Sequence, residues 1–293
     1  MDQLLQALVN GVMLGGFYTI MVLGFSIIWG VMGVINLAHG EFVMMGAYGA
    51  WILQESLGLD PLVSVLIVFP VMAALGYVIQ LVIINRVIER PHLISLLVTF
   101  GLASIISSVF KLLFTATPRL VEASVRGLWA LGPVTIPKTR STILLAALII
   151  MYGLHMFLKH TRLGKSIRAA AQNREAARIV GIEINRVYAM TFAIAIGITA
   201  VAGVMVAPVQ PVFPFMGPPL TLRAFAITAL SGLGSIIGAL LGGMLLGITE
   251  VLLATFIPGV GTNVGVVSSF VILIVVLVMR PQGLFGGLKA ATS

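Results

Sequence analysis

No cysteine occurs among the 293 residues of the chain. Disulfides, thiolate metal sites and cysteine nucleophiles are therefore excluded, and no redox compartment can be inferred. Charge is nearly as scarce. Only 9% of residues are Asp, Glu, Lys or Arg, against roughly 25% in a soluble domain. Hydrophobic residues make up 59% and the mean hydropathy is +1.14, so this is an integral membrane protein. Acidic residues are the rarer sign, 9 against 17 Lys and Arg, for a formal net charge of +8. Cations spread so thinly between apolar runs form no basic groove and give no reason to expect nucleic acid. Membrane orientation explains them better.

Catalytic signatures are missing as well. There is no H-E-x-x-H zinc helix, no G-x-S-x-G elbow and no Ser/His/Asp set placed outside the lipid. Gly164-Lys165-Ser166 resembles the end of a phosphate-binding loop, but the further glycine that motif needs is replaced by Lys159. The chain is expected to be non-catalytic and to bind no metal, nucleotide or other cofactor itself. Its amino terminus, MDQLLQALVNGVML, lacks a basic n-region and a small-residue cleavage site, and is expected to be a retained first span.

What is present is a series of apolar runs. A helix needs about 20 such residues to cross the hydrocarbon core. Candidate spans lie near 8–32, 40–56, 62–85, 93–115, 142–159, 187–207, 236–257 and 263–280, with a short apolar helix near 222–233. The expected fold is all-α: a polytopic integral membrane protein of about eight transmembrane helices plus a broken or re-entrant helix. It is expected to form one transmembrane domain over 1–293, with a cytoplasmic loop at 160–186. That loop holds Arg162, Lys165, Arg168, Arg174, Arg178 and Arg186, with Lys159 just before it, against Glu175 and Glu183, which places it inside. Counting outward puts Arg86, Arg90 and His92 inside, and the amino terminus and the 116–141 loop outside. The carboxyl terminus falls inside if 222–233 crosses or re-enters.

Two stretches break ordinary helix chemistry. In residues 29–50, Gly30, Gly33, Gly40, Gly46 and Gly49 bracket Asn36, His39 and Glu41; residues 206–243 hold five prolines and a glycine cluster. Such backbone is tolerated at membrane depth only when buried in protein or lining a wet cavity. Asn36, His39, Glu41, Ser231, Gly232 and Gly234 are accordingly candidates for a translocation pathway. Simpler roles compete: Glu41 as a charge at a helix start, His39 as an interfacial residue, and Gly234, Gly238 and Gly242 as a small-residue packing ladder. Glu250, inside a span, would need a partner.

The least apolar stretch is LGKSIRAAAQNREAARIVGIEINRVY, residues 163–188. Asn173 is placed to cap a two-turn helix over 174–180 that ends at Gly181, after another short helical piece over 163–172. If the whole segment stays helical, Arg168, Gln172, Glu175 and Arg178 share a polar face. Ala176, Ala177 and Val180 then lie off it, and Ala177 is expected on the face that meets a partner.

This stretch resembles the cytoplasmic "EAA" coupling loop of ABC-importer permeases. GVINLAHGEFVMMGAY, SGLGSIIGALLGGMLLGITE and RPQGLFG extend the likeness over nearly the whole chain, to LivH-type permease subunits of branched-chain amino acid importers. The resemblance implies two cytoplasmic ABC ATPase subunits that bind ATP and Mg, a homologous second permease, and a periplasmic or extracellular substrate-binding protein. It also implies a bacterial cytoplasmic (inner) membrane location. ATPase coupling would then fall to Arg168, Asn173, Glu175, Ala176, Ala177, Arg178 and Gly181. Related importers carry urea, short amides or aromatic acids, and a secondary transporter or channel built on the same broken helices is the rival class.

Overall fold

The computed structural model describes residues 2–123, 125–232 and 234–257, and, near the carboxyl end, 267, 270, 271, 273–276, 278–280, 283 and 284. The described chain runs through α1 (Asp2–Met32), α2 (His39–Leu57), α3 (Pro61–Val82), α4 (His92–Phe114), a hairpin of β1 (Leu128–Leu131) and β2 (Val134–Pro137), then α5 (Lys138–His160), α6 (Arg162–Gln172), α7 (Arg174–Ile179), α8 (Ile184–Val206), α9 (Gly217–Ser231) and α10 (Ile236–Phe256). Among the described residues, α1, α3, α4, α5, α8 and α10 are the helices long and apolar enough to cross a membrane. The molecule is thus a polytopic helical membrane protein. Two segments depart from the simple span pattern, because α2 opens inside the protein and α9 has only 15 residues. The expected 263–280 span and the RPQGLFG tail lie largely outside the described residues. The hairpin, with Leu131 paired to Val134, is an exception to the all-α expectation.

Helix ends follow local chemistry. Asp60 accepts from the Leu62 amide at 2.7 Å and Pro61 opens α3, a sound start because the first turn has no use for the missing N–H. Ser235 caps α10 by accepting from the Gly238 amide at 2.9 Å. The core lies around α1 and α8, which are mostly enclosed, whereas α4 and α5 are mostly exposed around them. Their apolar outer surfaces, such as Leu97, Phe100, Leu112 and Ile149, suit a lipid or protein environment rather than water.

The two ends of the bundle are distinct. At one end Glu89 is ion-paired with Arg174 and lies 3.7 Å from Arg178, tying the 84–90 turn to α7. Leu284 reaches the same end, where its amide donates to the Leu230 carbonyl at 2.8 Å. The return from α8 is therefore made by the 207–216 segment and α9 together. At the opposite end two glutamines act as rungs of a sheet. Gln54 donates to the Glu122 carbonyl at 3.1 Å and accepts from its amide at 2.8 Å. Gln6 does the same with Thr135, at 2.9 and 2.8 Å. Arg119 pairs its backbone with Val212 and lays its guanidinium 4.8 Å from the Trp51 ring centroid.

Candidate translocation site and coupling surface

Two helices begin at the same point within the bundle. After α1 the chain doubles back, starting at Gly33 with φ +65°, so that His39 Nε2 lies 2.8 Å from the Met21 carbonyl. Met21 is 11 residues before the end of α1 at Met32, or about 16 Å along the helix. There α2 meets α9: the Gly40 amide donates to Thr221 Oγ1 at 2.8 Å, and that hydroxyl donates to the Leu37 carbonyl at 3.2 Å. Only glycines allow so close a crossing. A Cβ at Gly40 would run into the Gly217 carbonyl and Thr221, and one at Gly217 into the Glu41 carboxylate.

Of the residues expected on a pathway, this junction gathers three. Asn36 is fully buried, its Oδ1 accepting from the Ala38 amide at 3.1 Å while its Nδ2 has no partner. Glu41 is 1% exposed and lines a cavity of ≈ 540 Å³ between α2, α4 and α9. His39 is close by but faces the other way. A carbonyl only accepts, so Nε2 carries the proton in its bond to Met21, and the ring sits edge-on to Phe25 at 5.2 Å. It staples α2 to α1 and does not line the cavity.

Ser231, Gly232 and Gly234 are not brought there. They sit at the far end of α9, 14 residues from Gly217 and so about 21 Å away. Gly234 packs against Gly30, and Ser231 against Gly238 and Gly242. Glu250 does have partners: it accepts from Tyr18 at 2.6 Å and from Arg223 at 3.0 Å.

Sequence reasoning missed the other wall. Ser104, Ser107, Ser108 and Lys111, spaced three and four apart, form one stripe of α4 that lines the cavity, and Ser95 and Thr99 are buried further along the helix. Thr99 Oγ1 accepts from the Leu37 amide at 3.2 Å and lies 3.1 Å from the Ile35 carbonyl, holding the extended segment in place. Polar residues at that spacing in an apolar helix were the available signal. Lys111 sits 4.5 Å from the Phe215 ring centroid.

The second candidate region is the exposed α6–α7 pair. Thr161 caps α6 by accepting from the Gly164 amide at 2.9 Å, and Asn173 caps α7 by accepting from Ala176 at 2.9 Å. Gly181, at φ +85°, ends α7 and donates to the Arg178 carbonyl at 3.0 Å. The expected cap and terminus are therefore in place. The expected continuous polar face is not, because extended backbone at Asn173 (φ −153°, ψ 107°) separates the two helices. Orientation also differs: Ala177 is 3% exposed and turned into the protein, whereas Ile179 and Val180 are 86% and 74% exposed. Arg168, Glu175, Ala176 and Arg178 are exposed as well.

The family described as "Branched-chain amino acid transport system / permease component" matches residues 7–278. The chain belongs to this permease family. It is 31% identical to the high-affinity branched-chain amino acid transport system permease protein LivH of Escherichia coli strain K12, covering 96% of this chain and 95% of the relative. Identity to BraD, the corresponding permease protein of Pseudomonas aeruginosa, is 32% with the same coverage. A probable LivH of Methanocaldococcus jannaschii is 26% identical over 91% of this chain and 88% of its own length. Among solved structures, PsaBC from Streptococcus pneumoniae in complex with Fab shares the fold, with a TM-score of 0.51, 16% identity, and coverage of 99% of this chain and 95% of that one. As a member of the permease family the chain is a membrane-spanning transport subunit, and its junction and its α6–α7 surface are the places where that role can be sought.

Proposed function

We propose that this chain is the permease subunit of an ATP-driven importer of branched-chain or closely related amino acids in the bacterial inner membrane. Two cytoplasmic ATPase subunits bind ATP and Mg and supply the energy. A homologous second permease completes the pathway, and an extracytoplasmic binding protein delivers the substrate. The observation that carries this reading is the surface of α7. Ile179 and Val180 stand 86% and 74% exposed on a capped helix of six residues, beside the charges of Glu175 and Arg178. Two adjacent exposed aliphatics on a charged, non-spanning element suit a protein contact. The motif resemblance and the family membership support an ATPase as the partner, with Arg168, Asn173, Glu175, Ala176, Arg178 and Gly181 shaping the contact. Ala177 supports it from beneath.

In this scheme the α2/α9 junction serves the substrate path, and α6–α7 transmits ATPase closure to the bundle. The test is co-expression with the ATPase and second permease subunits, followed by reconstitution in proteoliposomes. Uptake of L-leucine should require both ATP and the binding protein. Uptake that proceeds on an ion gradient without the ATPases would replace this reading with secondary transport.

A further inference from the structure

The cavity between α2, α4 and α9 contains groups that packing does not require. Glu41 is 1% exposed, yet its Oε2 has no hydrogen-bond partner. Among the described residues it also forms no ion pair. A carboxylate at bilayer depth is costly, and intramembrane acids mark substrate or ion paths. Two helix starts favour negative charge at this point: Glu41 is in the first turn of α2 and lies against Gly217 at the start of α9. Pro218 and Pro219 remove two N–H donors from the first turn of α9, so α9 has fewer donors with which to satisfy the Glu41 carboxyl.

Glu41 shares the cavity with Thr221 of α9 and with Ser104, Ser107, Ser108 and Lys111 of α4. The volume, ≈ 540 Å³, falls within the roughly 300–1,000 Å³ of small-molecule sites. Lys111 has no carboxylate partner among the described residues. Leu37, Phe100, Ala103, Pro218 and Leu222 line the remainder, with Phe100 and Leu222 at its open, outward side. The cavity thus presents a buried carboxyl and an exposed ammonium, neither in an ion pair among the described residues, together with hydroxyls and an apolar wall.

We propose that it is a transit site for zwitterionic α-amino acids, with Glu41 receiving the α-ammonium and Lys111 the α-carboxylate. Charge-assisted bonds of this kind are the stronger class of hydrogen bond; a substrate lacking the ammonium leaves the buried Glu41 carboxylate unanswered, and one lacking the carboxylate forgoes the bond to Lys111. The apolar wall takes the side chain. This site deepens the importer reading above and rests on it.

Because the chain has no cysteine, Ser108→Cys can serve as its sole thiol in the reconstituted importer held without nucleotide. L-Leucine at about ten times its dissociation constant is expected to slow alkylation there about tenfold. Neither 4-methyl-2-oxopentanoate, which lacks the ammonium, nor leucinamide, which lacks the carboxylate, should protect. Adding Glu41→Gln should remove the protection by L-leucine, and Glu41→Asp should keep part of it. Equal protection by the oxo acid or the amide, undiminished leucine protection with Glu41→Gln, or no protection by leucine would each overturn the site. The oxo-acid comparison needs no change at Glu41, so it decides the matter even where Glu41→Gln fails to fold. ATP-driven leucine uptake by the unaltered importer is scored separately: intact uptake without protection removes only this site, whereas absent uptake removes the importer reading itself.

Discussion

At the scale of single residues, the membrane interior makes small changes expensive. Gly40→Ala puts a methyl group into the Gly217 carbonyl and Thr221, and overpacking of this kind costs about 1–3 kcal/mol. The detergent-solubilised chain should therefore unfold at a lower temperature. Gly153→Ala meets no atom within 4 Å and should leave the midpoint unchanged or raise it, since alanine is the better helix former. The Arg223–Glu250 pair is a second case, with side chains only 19% and 11% exposed. Arg223→Met strands a carboxylate whose remaining bond is to Tyr18, and breaking such a pair costs about 3–5 kcal/mol. Adding Glu250→Gln should recover part of that loss in the same thermal unfolding measurement. Recovery of nothing would show that Arg223 acts through packing alone.

At the scale of elements, α7 separates what was legible in the sequence from what was not. Its limits were legible because caps are local: Asn173 offers an acceptor to a nearby amide, and Gly181 takes a positive φ that few other residues tolerate. Its facing was not, because that is set by Glu89, which is distant in sequence and pairs with Arg174 and Arg178. The consequence is testable in membranes. Ile179→Asp should leave protein level normal while abolishing co-purification of the ATPase subunits, whereas Ala177→Asp should lower the protein level itself by burying a charge. Normal co-purification with Ile179→Asp would remove α7 from the contact. The junction follows the same division. Broken backbone betrayed Asn36 and Glu41, but the α4 wall that faces them is visible only once the 61 residues between Leu37 and Thr99 are folded back to bring those two into contact. The hairpin had one local signal, Gly132 at φ +62° in a two-residue loop between paired strands.

At the scale of the whole molecule, the basic residues sort by end. Arg86, Arg90 and those of 159–186 gather at the end that carries α6 and α7, while Arg119, Arg126, Lys138 and Arg140 lie at the other, near the hairpin. The larger group sets orientation. A sole thiol from Ser166→Cys should react with an impermeant reagent only from the cytoplasmic side, and one from Ser56→Cys only from outside; labelling of the first in intact cells would invert the topology. Between those two ends runs α1, 31 residues without a proline, about 46 Å of helix. Gln6 grips the hairpin near one of its ends and α6 touches it toward the other. Helices kink sharply where proline or an inserted group interrupts them, and α1 is laced along its length by α10 and α8. It is a strut. A load placed on the hairpin would have one continuous helix to follow toward α6, steadied at its glycines by the packing of α10 and α8, with no loop to refold on the way.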